Sequence, residues 1–173
     1  MRFAAKLKSR TAAGLLSAAV LLLLLCFMPL LKVVSFEDCG GSQGALLSRT
    51  AVKSGFVIAY THSVNKGRVR DSYSVNGAEL VLDRTEFVSY GAGIPEASET
   101  VGARFTREDG AYVISGLNRR LPQFLMAVGV IAEHSVTVSE KEIYLKECFR
   151  PQTRLRIRVR RVPLVYYWRS KKL

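Results

Sequence analysis

Residues 69–82 read VRDSYSVNGAELVL. Two short runs rich in β-branched and aromatic residues flank Asn76-Gly77. An Asn-Gly pair between strand-like runs predicts a β-hairpin, because both turn positions then need φ > 0 and these residues adopt it with little strain. The device recurs at Asp109-Gly110, between Ala103–Thr106 and Ala111–Ser115. Working outward, Phe56–Thr61, Val136–Val138, Ile143–Leu145 and Leu155–Val162 read as further strands bounded by turn residues. Phe124–Ala132 (FLMAVGVIA) is a continuous apolar run, expected as a central strand and too short for a membrane helix. The expected fold is all-β, an antiparallel β-sandwich or small barrel of about 8–9 strands. Only Ala45–Lys53 leaves room for a short helix.

The N-terminus follows other rules. From Ala12 to Val34 the one charge is Lys32. About 20 apolar residues in a helix cross a hydrocarbon core of about 30 Å, so this run predicts one N-terminal transmembrane helix. A cleaved signal peptide competes, but its apolar region is usually about 7–15 residues. No Ala-x-Ala pattern follows here, and Leu25 precedes Cys26 where a lipid-attachment site needs a small residue. Arg2, Lys6, Lys8 and Arg10 precede the run, which places the N-terminus in the cytoplasm and the domain in the periplasm or outside the cell. The expected organisation is a cytoplasmic segment 1–11, an inner-membrane anchor 12–34, a linker 35–54, a β domain 55–162 and a basic aromatic tail 163–173. Within that linker DCGGSQG, residues 38–44, reads as a flexible exit.

The net charge of +12 is uneven. Residues 1–34 carry five basic and no acidic residues, 35–147 carry 12 basic and 14 acidic, and 148–173 carry nine basic and none acidic. Basicity belongs to the two ends, so the body need not bind a polyanion. Arg154, Arg156, Arg158 and Arg160 alternate with Leu155, Ile157 and Val159. A strand puts those guanidinium groups on one face. That face is either a solvated edge blunted by charge or a contact for anionic headgroups or an acidic partner. Tyr166, Tyr167 and Trp168 beside Arg169, Lys171 and Lys172 suit a membrane interface. Nucleic acid could use the same chemistry but is not the expected partner outside the cytoplasm.

Candidate chemistry is sparse. His62 and His134 are the only histidines. They could share a ligand site with Asp71 or Glu86, or each could tie off a strand end; no metal or other cofactor is expected, since no Cys or Asp cluster lies near. Ser63 adjoins His62, but neighbouring strand residues point to opposite faces and no Gly-x-Ser-x-Gly elbow is present. Gly91 and Gly93, in GAGIP, lack a phosphate-loop lysine and read as a tight turn or as open amides facing a ligand. Cys39 and Cys148 could pair in an oxidising compartment or stay as two free thiols.

These stretches resemble a known family. Tyr60-Thr61-His62-Ser63-Val64, Val69-Arg70-Asp71-Ser72-Tyr73 and Ser89-Tyr90-Gly91-Ala92-Gly93-Ile94-Pro95 are similar to an uncharacterised bacterial family, domain of unknown function 1850. Asp109-Gly110, Gly116-Leu117-Asn118 and Val128-Gly129-Val130-Ile131-Ala132-Glu133-His134 extend the likeness to about residues 55–160. Members look like small secreted or anchored proteins encoded beside TAXI-type TRAP transporters, which import organic acids with an extracytoplasmic binding protein. The resemblance implies a non-catalytic transporter accessory whose partners are the transporter's membrane subunits or binding protein. It brings no catalytic residues. The alternative is a binding module for a small organic acid. An enzyme ranks last, because no complete nucleophile, acid–base pair or metal cluster stands in the sequence.

Overall fold

The computed structural model describes residues 2–64, 66–89 and 101–173, with side chains from Gly14 onward. The chain forms two compact units: residues 1–31 with 161–169, and residues 32–160 with 170–173.

The first unit holds α1 (Arg2–Phe27) and the short α4 (Leu164–Arg169), which lies against it. Alanine and leucine, both strong helix formers, fill α1. Pro29 ends it: proline has no N–H and pushes Met28 out of the helical region. The leucines from Leu15 to Leu25 remain 41–73% exposed. Among the described residues, no helix is long and apolar enough to cross a membrane. The expected span of 12–34 therefore divides at Pro29. Leu31 already begins strand β1 (Leu31–Asp38), and Val33 and Val34 are fully buried in protein.

The second unit is all-β, built from two sheets. After β1 come β2 (Ala45–Ser48), α2 (Thr50–Ser54), β3 (Phe56–Thr61), β4 (Arg68–Asn76) and β5 (Glu79–Phe87). Then follow β6 (Arg104–Glu108), β7 (Ala111–Leu121), β8 (Gln123–Ala127), β9 (Ser135–Val138), β10 (Lys141–Tyr144), α3 (Leu145–Cys148), β11 (Arg154–Val162) and β12 (Lys171–Lys172). One sheet has the order β12-β2-β1-β11-β8 and the other β10-β9-β3-β4-β5-β7-β6. The ladders β1–β2 and β8–β11 and all those of the larger sheet are antiparallel, and β12 joins β2 in parallel. The inner faces share one core: Phe36 of the smaller sheet meets Phe56 of the larger edge-on at 5.6 Å, and Phe124 stacks on Tyr73 at 5.0 Å.

Several expectations change. Twelve strands are present among the described residues, not eight or nine. The expected linker 35–54 holds half of β1 and all of β2 and α2, and residues 38–44 are an ordered turn. The Asp38 carboxylate accepts hydrogen bonds from the Gly40, Ser42 and Gln43 amides and the Ser42 hydroxyl. The Gly40 amide leads in holding that carboxyl below its ordinary range. The run 124–132 is not a central strand. Strand β8 ends at Ala127 on the edge of the smaller sheet, and residues 128–134 form a loop. Both hairpins exist. At Asp109-Gly110 both residues have φ > 0, as a type I′ turn requires. The first turn is shifted: Asn76 pairs with Glu79, so the tip is Gly77-Ala78, with φ of 61° at Gly77 alone.

Candidate functional site

Asp71 stands where a strand of this sheet buries side chains. Along β4, Val69, Asp71, Tyr73 and Val75 share the face turned to the core. Asp71 lies opposite Ile58 of β3 and Thr85 of β5, and accepts a hydrogen bond from Thr85 Oγ1 at 2.9 Å. The β4–β5 register slips between Ser72 and Tyr73, and the β5–β7 register between Leu82 and Arg84. Such bulges bend strands and re-aim side chains. Here they open a cleft of about 230 Å³ lined by Tyr60, Asp71, Tyr73, Leu82, Arg119, Leu121 and Phe124. Tyr73 is fixed in a stack, 5.1 Å from Phe56 and 5.0 Å from Phe124 between ring centres.

The electrostatics follow from burial. Removal from water pushes the Asp71 carboxyl up to about 6, against the help its charged form gets from Thr85. Burial, then the Asp71 charge, raises the Tyr60 phenol to about 12 and Tyr73 higher still. Arg119 acts on Tyr73 in the opposite sense.

The histidines do a different job. The His62 amide and carbonyl bond Gly67 and Lys66, and its Nδ1 accepts the Val64 amide at 3.2 Å. His134 Nδ1 accepts the Gly129 amide at 3.0 Å, and its ring stacks on Tyr60 at 5.6 Å. Gly129 is required there, since a Cβ would sit 3.0 Å from His134 Cε1 and 2.8 Å from the Ala132 Cβ. The two loops are tied together: Thr61 N donates to the Ala132 carbonyl at 2.7 Å, and Arg68 donates to the Glu133 carbonyl and to Ser135 Oγ. Each imidazole thus spends Nδ1 on a backbone amide, as a loop clamp does. The expected set of His62, His134 and Asp71 or Glu86 is not assembled. Asp71 faces the core, and Glu86 takes Arg84 at 2.9 Å with Arg70 at 3.8 Å. Among the described residues no group of three His, Cys, Asp or Glu could hold a metal ion. Ser63 is exposed in the turn beyond β3. Gly91 and Gly93 lie outside the described residues.

Burial, then the Arg68 charge, lowers the His134 pKa below its ordinary 6.5. A lowered imidazole contributes stability that is full above the unfolded value and falls as pH drops through the folded one. We expect the His134 ring protons to titrate below 6.5 in an NMR pH series. A midpoint above that value would contradict the clamp.

On β11 the alternation is as expected: Leu155 and Ile157 are fully buried, Arg154 is exposed, and Arg156, Arg158 and Arg160 are half-buried. Yet the guanidinium row is partly neutralised. Glu37 of β1 pairs with Arg158 at 2.9 Å and with Arg160 at 2.6 Å. Arg156 keeps a buried Nε that no group among the described residues accepts. Cys39 and Cys148 do not form the disulfide considered above; both are free. Cys39 is exposed in the Asp38 turn, whereas Cys148 ends α3 and packs against the core, which raises its thiol pKa.

Fold and site together define a two-sheet all-β domain with a small lined cleft and two histidine-clamped loops. Residues 56–145 match the family described as a domain of unknown function, DUF1850, and the chain belongs to that family. No curated protein and no solved structure matches it.

Proposed function

We propose that this protein is a membrane-anchored, non-catalytic accessory of a TAXI-type TRAP transporter, with its β domain outside the cytoplasm. The observation that supports anchoring is the exposed apolar surface of α1, which water does not favour and lipid does. The apolar part of that helix, Ala12–Phe27, is about 24 Å long at about 1.5 Å per residue. That is shorter than a hydrocarbon core of about 30 Å, and is met by bilayer thinning and by snorkelling of Lys8 and Arg10. Anchoring raises the local concentration of the domain, so weak contacts to the transporter's membrane subunits or binding protein suffice. Arg154 and Arg156 of the β domain offer cationic groups to anionic headgroups or an acidic partner, and the exposed Trp168 of the other unit suits a membrane interface.

Two measurements test this. The full chain should remain in membranes after alkaline carbonate extraction, and affinity purification of the transporter should carry it along. Release as a soluble mature chain would defeat the anchor, and a transporter complex purified without it would defeat the accessory role. Glu37→Gln supplies a further check on the arginine face. It leaves Arg158 and Arg160 without their carboxylate, and should destabilise the domain by roughly 1–2 kcal/mol while tightening binding to anionic vesicles. Unchanged vesicle binding would argue that the arginines serve the sheet alone.

A further inference from the structure

We propose that the cleft between Asp71 and Arg119 binds a small zwitterion of the α-amino acid type, its carboxylate on Arg119 and its ammonium group on Asp71. This goes beyond the anchored-accessory reading and does not depend on it.

Three features carry it. First, the cleft is built rather than incidental. Its position follows from two strand bulges, and Tyr73 is held between two aromatic rings. Second, its polar groups are left for a ligand. Asp71 accepts a hydrogen bond from Thr85, and among the described residues no ion pair or hydrogen bond engages the Tyr60 or Tyr73 hydroxyls or the Arg119 guanidinium. A carboxylate set in an apolar row is costly unless it does something, and the exposed Arg119 guanidinium at the cleft's rim is open to an anionic group.

Third, the charges select the ligand. A monocarboxylate that met Arg119 would bring a like charge toward Asp71. A simple amine that met Asp71 would bring one toward Arg119. A molecule carrying both charges satisfies both ends and lays its apolar part on Leu82, Leu121 and Phe124. A volume of about 230 Å³ lies below the usual range for ligand clefts, about 300–1,000 Å³, so the ligand is small.

The test is titration calorimetry on the full chain in nanodiscs. The probes are leucine, its deaminated analogue 4-methylpentanoate and its decarboxylated analogue 3-methylbutylamine. Alanine, valine and phenylalanine bracket the size. Leucine or another of these amino acids should bind saturably, and each single-charge analogue of leucine at least about tenfold more weakly than leucine itself. Affinity should fall as pH drops through the Asp71 transition near 6, where the carboxylate is lost. Facing it are the Arg119 guanidinium and the Tyr60 and Tyr73 phenols, both of which burial raises far above this range. Arg119→Gln, at an exposed position, should weaken binding by roughly ten- to a hundredfold with an unchanged circular-dichroism melt, and Asp71→Asn should weaken it as much while raising the melt. No saturable binding by any of these amino acids at millimolar concentration would overturn the proposal. So would equal binding by either analogue, or indifference to Arg119→Gln.

Discussion

Replacing Gly55 with alanine should destabilise the β domain by about 3 kcal/mol or more, enough to leave much of it unfolded at ambient temperature. Gly55 closes α2, its amide donating to the Ala51 carbonyl, and turns the chain into β3. It does so with φ 73° and ψ −170°, a region in effect restricted to glycine. A Cβ there would also collide with the Tyr73 carbonyl oxygen. That oxygen cannot retreat. Tyr73 is paired to Phe56 on one side and Leu82 on the other, and its ring is clamped in the aromatic stack. Gly77→Ala is the control. Gly77 also has positive φ, at 61°, but open space surrounds its missing side chain. Its loss should be about 1 kcal/mol, from backbone strain alone. Urea denaturation of the two variants separates strain from collision. Equal losses would mean that the approach of Gly55 to Tyr73 does not constrain the fold.

How much of this was legible depends on the element. Strand β3 and both hairpins follow from local rules, because alternation and turn residues act over a few positions. The first turn slid by one residue because glycine at the leading tip position suffices for a type II′ hairpin, whereas Asn76 could stay in the ladder. The apolar run 12–34 hid a boundary. Hydropathy does not distinguish leucines left exposed on a helix from valines buried in a strand, and Val33 and Val34 belong to the core. Pro29 was the available signal. Likewise the apolar run 124–132 joins an edge strand to a loop in which Val130 and Ile131 are exposed, and Gly129 marked the break.

The site was half legible. His62 and His134 were conspicuous by rarity, but rarity does not say that their Nδ1 atoms accept amides within their own loops. Asp71 was named for the wrong company. Its real partners are distant in sequence: Tyr60, Tyr73, Arg119 and Phe124 meet only after β3, β4, β7 and β8 are placed. One clue was present. In Val69, Asp71, Tyr73, Val75 a charge interrupts an otherwise apolar row of period two, which is where a sheet puts its core face. A charge in that row should be read as site before solvent.

That reading makes Asp71→Asn the second large effect, and of opposite sign. The carboxyl titrates at about 6 in the folded protein against 3.8 unfolded, so the folded state holds the proton more tightly. Its contribution to stability is complete below 3.8 and is lost as pH rises through about 6. At about 1.36 kcal/mol per pKa unit, the ionised side chain costs on the order of 2–3 kcal/mol above neutrality. Asparagine keeps an oxygen for the Thr85 hydroxyl and carries no charge to desolvate. The variant should therefore match the parent in acid and exceed it in alkali by about 2 kcal/mol, a rise in Tm of roughly 5 °C. Thermal melts at a series of pH values would show the parent curve falling away from the variant between 4 and 7. Parallel curves would mean that Asp71 is not held out of water, and the case for a charge kept at cost to greet a ligand would fall with it. A stabilised variant that no longer binds would instead show why the carboxylate is there: the fold tolerates it, and the cleft uses it.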